Sequence, residues 1–227
     1  MENTERTIKQ LPVKLLLASV LFIIAILVFS LLAKFVVIDK NHSFDEKVFF
    51  YLKEHTTPVI TRWMEAITFF GSTTFLFPAY IVLVSWLLFR GKKRWAMDIS
   101  IIGISGELMK QIMKNSFQRP RPDLPLLESL QSYSFPSGHA LSSFILFSCI
   151  IYLLWNGTYP HFWRWTISIL LILFSLLIGF SRIMLRFHYA SDVIAGFCMG
   201  IAWVSFSLWL LDKYYKKHRV RNRAESD

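Results

Sequence analysis

The sequence predicts an all-α integral membrane protein, a bundle of six transmembrane helices. Three observations lead there. Of 227 residues, 54% are hydrophobic and only 18% charged, with a mean hydropathy of +0.45; a soluble domain is about a quarter charged. Residues 15–33, 66–89 and 193–211 hold no charged side chain, and a bilayer core of ~30 Å takes about 20 helical residues to cross. Fourteen of the 25 Lys and Arg fall in alternate inter-span segments, as the positive-inside rule requires. An aromatic content of 16% excludes disorder, and two cysteines exclude a disulfide scaffold.

The elements follow in order. The first span covers about residues 12–37. Arg6 and Lys9 ahead of it resemble the basic end of a signal peptide, but the apolar run is too long for a signal core and no small-x-small cleavage site follows. Residues 38–60 form a mixed-charge outer connection, with 58–65 as a short interfacial helix; no chemistry is legible in either. The second span, 66–89, closes on Arg90, Lys92, Lys93 and Arg94. The third, 95–116, is the weakest, because Asp98, Glu107 and Lys110 interrupt it. The fourth and fifth, 139–155 and 163–182, flank the break Asn156-Gly157-Thr158-Tyr159-Pro160. The sixth, 190–212, ends at Asp212 and Lys213. Residues 1–227 make a single membrane domain without internal repeats.

A net charge of +10 suggests nucleic acid, but its placement does not. Arg6, Lys9 and Lys14, then Arg90 to Arg94, Arg164, and six cations from Lys213 to Arg223 put both termini in the cytoplasm. The tail reads as an anchor near anionic lipid, and no nucleic-acid partner is expected. Tyr159, Trp163 and Trp165 sit where an interfacial belt belongs. Cys149 and Cys198 fall inside spans and read as small core residues. Gly196 and Gly200 make a GxxxG pair that packs helices within the chain or between chains; intrachain packing is favoured, so a monomer is expected.

Three loop segments hold polar groups out of keeping with the rest. In Lys114-Asn115-Ser116-Phe117-Gln118-Arg119-Pro120-Arg121-Pro122, the prolines cannot continue a helix. The third span therefore ends near Gln118, with guanidinium groups at the membrane edge. Ser134-Phe135-Pro136-Ser137-Gly138-His139 leads straight into the fourth span. Ser137 and Gly138 would present free backbone N–H groups at its N-terminus, an anion site by geometry and dipole. The tetrapeptide alone reads as an ordinary helix start. After Ser181-Arg182, His188 is followed four residues later by Asp192. On a helix the two share a face, and a carboxylate on one imidazole nitrogen leaves the other bare as nucleophile or base. Alone, Asp192 is also a simple helix-start carboxylate.

These pieces are not independent. Loops separated by an even number of spans lie on one side of the membrane, here the outer one. Lys114, Arg121, Ser137, His139, Arg182, His188 and Asp192 can all converge there. Permanent cations, a helix N-terminus, two histidines and a carboxylate describe a phosphate site with a nucleophile and an acid.

The motifs Lys114-(six residues)-Arg121-Pro122, Pro136-Ser137-Gly138-His139 and Ser181-Arg182-(five residues)-His188-(three residues)-Asp192 resemble those of the type 2 phosphatidic acid phosphatase superfamily. Within it the chain is most similar to small bacterial membrane enzymes of the phosphatidylglycerophosphatase B type. The motifs cover residues 114–192, and the six-span layout covers nearly the whole chain. Arg119 and Arg121 both precede proline; the six-residue gap selects Arg121 and leaves Arg119 without a role.

The resemblance implies His188 as the nucleophile of a phosphohistidine intermediate, Asp192 as its orienting carboxylate and His139 as general acid, then base. It implies that Lys114, Arg121, Arg182, Ser137 and Gly138 bind the phosphate. No metal and no cofactor are expected, since fixed cations would supply the charge. Phosphatidylglycerol phosphate is the first expected substrate and undecaprenyl diphosphate the second, with phosphatidic acid and diacylglycerol diphosphate also eligible. A lipid-binding or transport protein is the reading from a different class, with Glu107 and Lys110 as its intramembrane signs. A soluble-phosphate hydrolase and vanadium haloperoxidase chemistry are further readings. Glu107 also has a local one: through Lys110 and Lys114 it would brace the phosphate site.

Overall fold

The computed structural model describes residues 19–122 and 132–224, the last eight by backbone alone, and these residues form eight helices. The start of the predicted first span, the signal-peptide reading and residues 123–131 lie outside them. Helix α1 (Ser19–Ile38) ends in a π-helical turn from Lys34 to Ile38. Asn41 Oδ1 accepts from Ser43 N–H (3.0 Å) at the start of α2 (Ser43–Lys53). Thr57 caps α3 (Pro58–Phe69), with Pro58 in the first turn where its missing N–H costs nothing. Ser72 caps α4 (Thr73–Phe89) through Phe75 N–H. The apolar run predicted as one span is thus broken at Gly71-Ser72, and the expected short helix at 58–65 extends to Phe69.

Helix α5 (Lys93–Phe117) ends where Gln118 turns left-handed (φ 47°) and donates to Lys114 O at 3.1 Å. That is the end the Arg-Pro repeat predicts. Helices α6 (Gly138–Asn156) and α7 (His161–Met184) flank the predicted break, and α8 runs Ala190–Ala224.

Among the described residues, five segments are long and apolar enough to cross a membrane: Ser19–Ile38, Pro58–Phe89, Gly138–Asn156, His161–Met184 and Ala190–Lys216. Helix α5 misses that criterion because of its charges, yet Asp98, Lys110 and Lys114 all turn into the bundle. At the Lys93 end of α5, Tyr215 Oη donates to Asp98 Oδ1 (2.6 Å) while the Arg94 guanidinium covers the Tyr215 ring at 3.2 Å, clasping α5 to α8.

Helix α6 is the hub, packed on α4, α5, α7 and α8. Leu141, Ile145 and Cys149 meet Ile99, Ile102 and Leu87 on one side; Leu146 and Phe147 meet Ile178 and Leu76 on the other. A Cβ on Gly196 would stand 2.7 Å from Ser137 O, so only glycine lets α8 approach α6 this closely. Gly200 likewise faces Phe144. The GxxxG pair therefore packs inside the chain. Outward, Ile23, Leu27, Phe77, Ile104, Leu170 and Leu173 are exposed, as a surface facing lipid requires. Both cysteines are free, Cys149 buried in the core.

Candidate active site

The site lies where the C-terminus of α5, the N-terminus of α6 and the α7–α8 junction meet. His188 is 1% exposed, in the short link before α8. Phe187 and His188 N–H both donate to Arg182 O (3.0 and 3.2 Å), which pins that link to the end of α7. His188 Nε2 lies 3.2 Å from Arg121 Nη1, and Nδ1 lies 3.4 Å from Asp192 Oδ2. A guanidinium is always a donor, so Nε2 must be the acceptor and Nδ1 carries the proton toward the carboxylate. Burial, reinforced by Arg121, Arg182 and Lys114, holds His188 well below the usual imidazole range. The ring is therefore neutral near pH 7, with Nε2 unprotonated and facing Arg121.

Asp192 is fully buried and saturated. Oδ1 accepts from Arg119 Nη1 at 2.5 Å; Oδ2 accepts from Tyr189 N–H (3.0 Å) and from Ser134 Oγ. The Tyr189 bond is the return half of a capping box at the start of α8. Asp192 thus caps the start of α8 and faces the imidazole. Helix α8 begins two residues after His188, so the pair meets across the helix start, where the sequence placed it on one helical face.

Arg121 is fixed by Phe187 O (2.5 Å) and by Ser132 O and Oγ (2.6 and 2.8 Å). Lys114 Nζ donates to Tyr133 O at 2.5 Å. Arg182 is buried, its Nη1 donating to Thr68 Oγ1 at 2.9 Å, its Cζ 4.3 Å over the Phe187 ring. Its Nε and Nη2 are buried without a partner. Such a group is costly unless an anion completes it.

Ser137 corrects one expectation. Its N–H is not free but donates to Asp192 O at 2.9 Å, tying α6 to α8. The backbone at the α6 N-terminus that faces the cavity begins with Gly138. Ser137 Oγ is buried and unpartnered.

His139, His188, Lys114, Arg121, Arg182 and Gly138 all line one cavity of about 760 Å³. Away from them it continues between α4 and α5, past Tyr80 and Ile104 to Val84 and Ser100. One end is a cationic pocket and the other an apolar channel.

Several residues here carry no sequence signal. Asp45, 1% exposed on α2, accepts from Arg119 Nη2 (2.8 Å), Ser191 N–H (2.9 Å) and Ser191 Oγ (2.6 Å). His42 Nδ1 lies 3.0 Å from Arg119 Nη2, and the Tyr189 ring covers the guanidinium at 4.0 Å. The connection that showed no chemistry supplies Asp45, and Arg119 gains a place behind Asp192. Thr68 was one hydroxyl in an apolar run. Ser134 lies inside a motif segment, and only its position hinted at a role.

Apolar helices enclosing a buried histidine, its carboxylate and a set of cations beside a helix N-terminus define a membrane phosphoester hydrolase. The chain belongs to the PAP2 superfamily, whose family model matches residues 95–216, and it hydrolyses phosphate esters of membrane lipids. It is 27% identical over 146 residues to phosphatidylglycerophosphatase B of Bacillus subtilis, covering 63% of this chain and 71% of the relative. It is 26% identical over 192 residues to undecaprenyl-diphosphatase of Sulfolobus acidocaldarius, covering 82% and 87%. The fold is similar to the crystal structure of the PAP2-type phosphatidylglycerolphosphate phosphatase from Bacillus subtilis. The TM-score is 0.77 at 24% identity, covering 86% of this chain and 96% of that one.

Proposed function

We propose that the protein converts phosphatidylglycerol phosphate to phosphatidylglycerol through a phosphohistidine intermediate, without a metal ion. The observation that carries it is one cavity lined by both Arg182, whose buried Nε and Nη2 have no partner, and His188, whose Nε2 is unprotonated. His188 Nε2 attacks phosphorus in line; the Nε2–P bond forms as the P–O bond to the lipid breaks. His139 gives the leaving oxygen its proton. Water then donates a proton to His139 and attacks phosphorus, breaking the Nε2–P bond and freeing phosphate. Asp192 holds the Nδ1 proton and offsets the imidazolium charge. Lys114, Arg121, Arg182 and Gly138 N–H hold the non-bridging oxygens, stabilising charge as it develops.

Helix α5 makes the sixth span in this reading. It has 25 residues, and at 1.5 Å per residue this is about 37 Å, enough to cross. Basic residues at the α4–α5 and α6–α7 turns and in the tail put both termini in the cytoplasm and the site outside. Gly196 and Gly200 are taken up by α6, which favours a monomer. A second reading, undecaprenyl diphosphate as the main substrate, is favoured by the greater coverage of the Sulfolobus relative.

The test is phosphate release from both lipids in excess EDTA by wild type and His188→Ala. Chelator-resistant release that the mutation abolishes is expected, and the two rates rank the lipids. Release that needs metal and survives the mutation would overturn the mechanism.

A further inference from the structure

Among the polar residues of the cavity that the mechanism above does not use are Lys110, Glu107 and Ser142. Lys110 lies one turn before Lys114 on α5 and is 8% exposed. A Cβ added to Gly138 would lie 3.0 Å from Lys110 Cδ, 3.7 Å from Lys110 Cε and 3.6 Å from Lys114 Cε. Both lysine stems thus converge on the first residue of α6. Glu107 pairs with Lys110 Nζ at 2.5 and 2.6 Å. Its chain of bonds stops there, since Lys114 turns to Tyr133 O instead. Ser142, one turn deeper than Gly138 on α6, has a buried Oγ with no partner.

Charge supplies the next step. Among the described lining residues, Lys110, Lys114, Arg121 and Arg182 face one carboxylate, Glu107. That leaves a surplus of three positive charges, whereas a phosphate monoester brings about two negative ones. Direction supplies the last step. The leaving group departs toward the general acid His139. From there the cavity runs along α4 and α5, with Lys110 and Ser142 on its walls before the apolar stretch.

We infer that Lys110 and Ser142 form a subsite for a second phosphate carried by the leaving group. In a lipid diphosphate this is the phosphate next to the tail; in phosphatidylglycerol phosphate it is the phosphodiester. Phosphatidic acid has no such group. Glu107 holds the Lys110 ammonium in an apolar wall until that phosphate arrives. The inference rests on reading the His188 site as a lipid phosphatase.

The experiment uses the full chain in detergent micelles: wild type, Lys110→Met, Lys110→Arg and a His188→Ala blank. Two substrate pairs separate the two sources of the second phosphate. Farnesyl diphosphate is set against farnesyl phosphate, and short-chain phosphatidylglycerol phosphate against phosphatidic acid. Lys110→Met is expected to raise KM about tenfold or more for members with a second phosphate, and less than about threefold for their partners. Lys110→Arg is expected to restore most of the loss. Turnover of the single-phosphate lipids shows that the variant is folded. An effect on only one pair still supports the subsite and names its ligand. An equal rise on all four lipids, or none on any, overturns it. A wild type that releases phosphate from none of the four overturns the phosphatase reading on which it stands.

Discussion

Arg119 Nη1 lies 2.5 Å from Asp192 Oδ1, and both side chains are buried, 2% and 0% exposed. The second arm of the same guanidinium lies 2.8 Å from Asp45 Oδ2. A single arginine thus joins α2 to the carboxylate that faces His188. Removing one member of a buried charge network leaves its partners uncompensated, at about 3–5 kcal/mol. Arg119→Met is therefore expected to lower the unfolding midpoint sharply in detergent.

Asp45→Asn is the finer probe, because it keeps the shape and removes one charge from the network. Arg119 then leans more strongly on Asp192, which weakens the hold of that carboxylate on Nδ1 of His188. We expect kcat to fall roughly tenfold or more with KM nearly unchanged, the pattern of a group acting in the transition state. An equal change in both parameters would mean that Asp45 only supports the fold.

Why these two residues were illegible in the sequence is a matter of distance along the chain. Arg119 meets His42, Asp45, Ser191 and Asp192 across 72 to 77 positions. No local pattern encodes such a pairing, and α2 shows an ordinary amphipathic turn with acidic residues at its positive end. What was legible was local: helix ends at Gln118 and Asn156, marked by proline and glycine, and the apolar runs between them. The cations and histidines were legible because a charge at the membrane edge is expensive and needs a reason. The Ser137 amide was misjudged because its partner, Asp192 O, comes from another helix. Thr68 was hidden because a lone hydroxyl in an apolar helix usually bonds its own backbone.

His188 gives the pH dependence. Its ionisation is depressed from the usual 6.5 by burial and then by the surrounding cations. The neutral form is the nucleophile, so activity falls only as pH drops through the depressed value, well under 6.5. The acid limb of kcat/KM is expected there; since the substrate phosphate itself titrates near about 6, its own titration is followed by phosphorus NMR in the same micelles. Stability carries the same sign. The unfolded chain takes up the His188 proton first, so this contribution is full above 6.5 and is lost as pH falls toward the folded value. A limb at or above 6.5 would contradict the assignment.

Arg182 lines the cavity with Nε and Nη2 unpartnered while Thr68 holds Nη1. Arg182→Lys keeps the charge and loses the fork, so kcat should fall about 10²- to 10³-fold, as for a lost preorganised donor. Thr68→Val leaves the fork and removes its anchor, one bond to a charged group. A loss of about tenfold is expected, with Arg182→Lys and Thr68→Val together no worse than Arg182→Lys alone. Additive losses would show that Thr68 acts independently of Arg182.

Gly196 touches no substrate, yet it sets the spacing on which the site depends. An added Cβ would stand 2.7 Å from Ser137 O and 3.1 Å from Ala140 Cβ. The first contact is backbone and cannot swing away, so α6 and α8 must separate. The separation would strain the Ser137 N–H bond to Asp192 O and shift Gly138 away from His188. Gly200→Ala meets Phe144 Cδ1 at 2.9 Å, and that ring belongs to a side chain able to rotate. Overpacking costs about 1–3 kcal/mol when the surroundings cannot yield. Gly196→Ala should therefore lower both the unfolding midpoint and kcat, while Gly200→Ala changes stability modestly and leaves kcat near wild type. If the two behaved alike, the spacing of α6 and α8 at Ser137 would not control the site. Parallel thermal melts and phosphate-release rates on the two variants decide it.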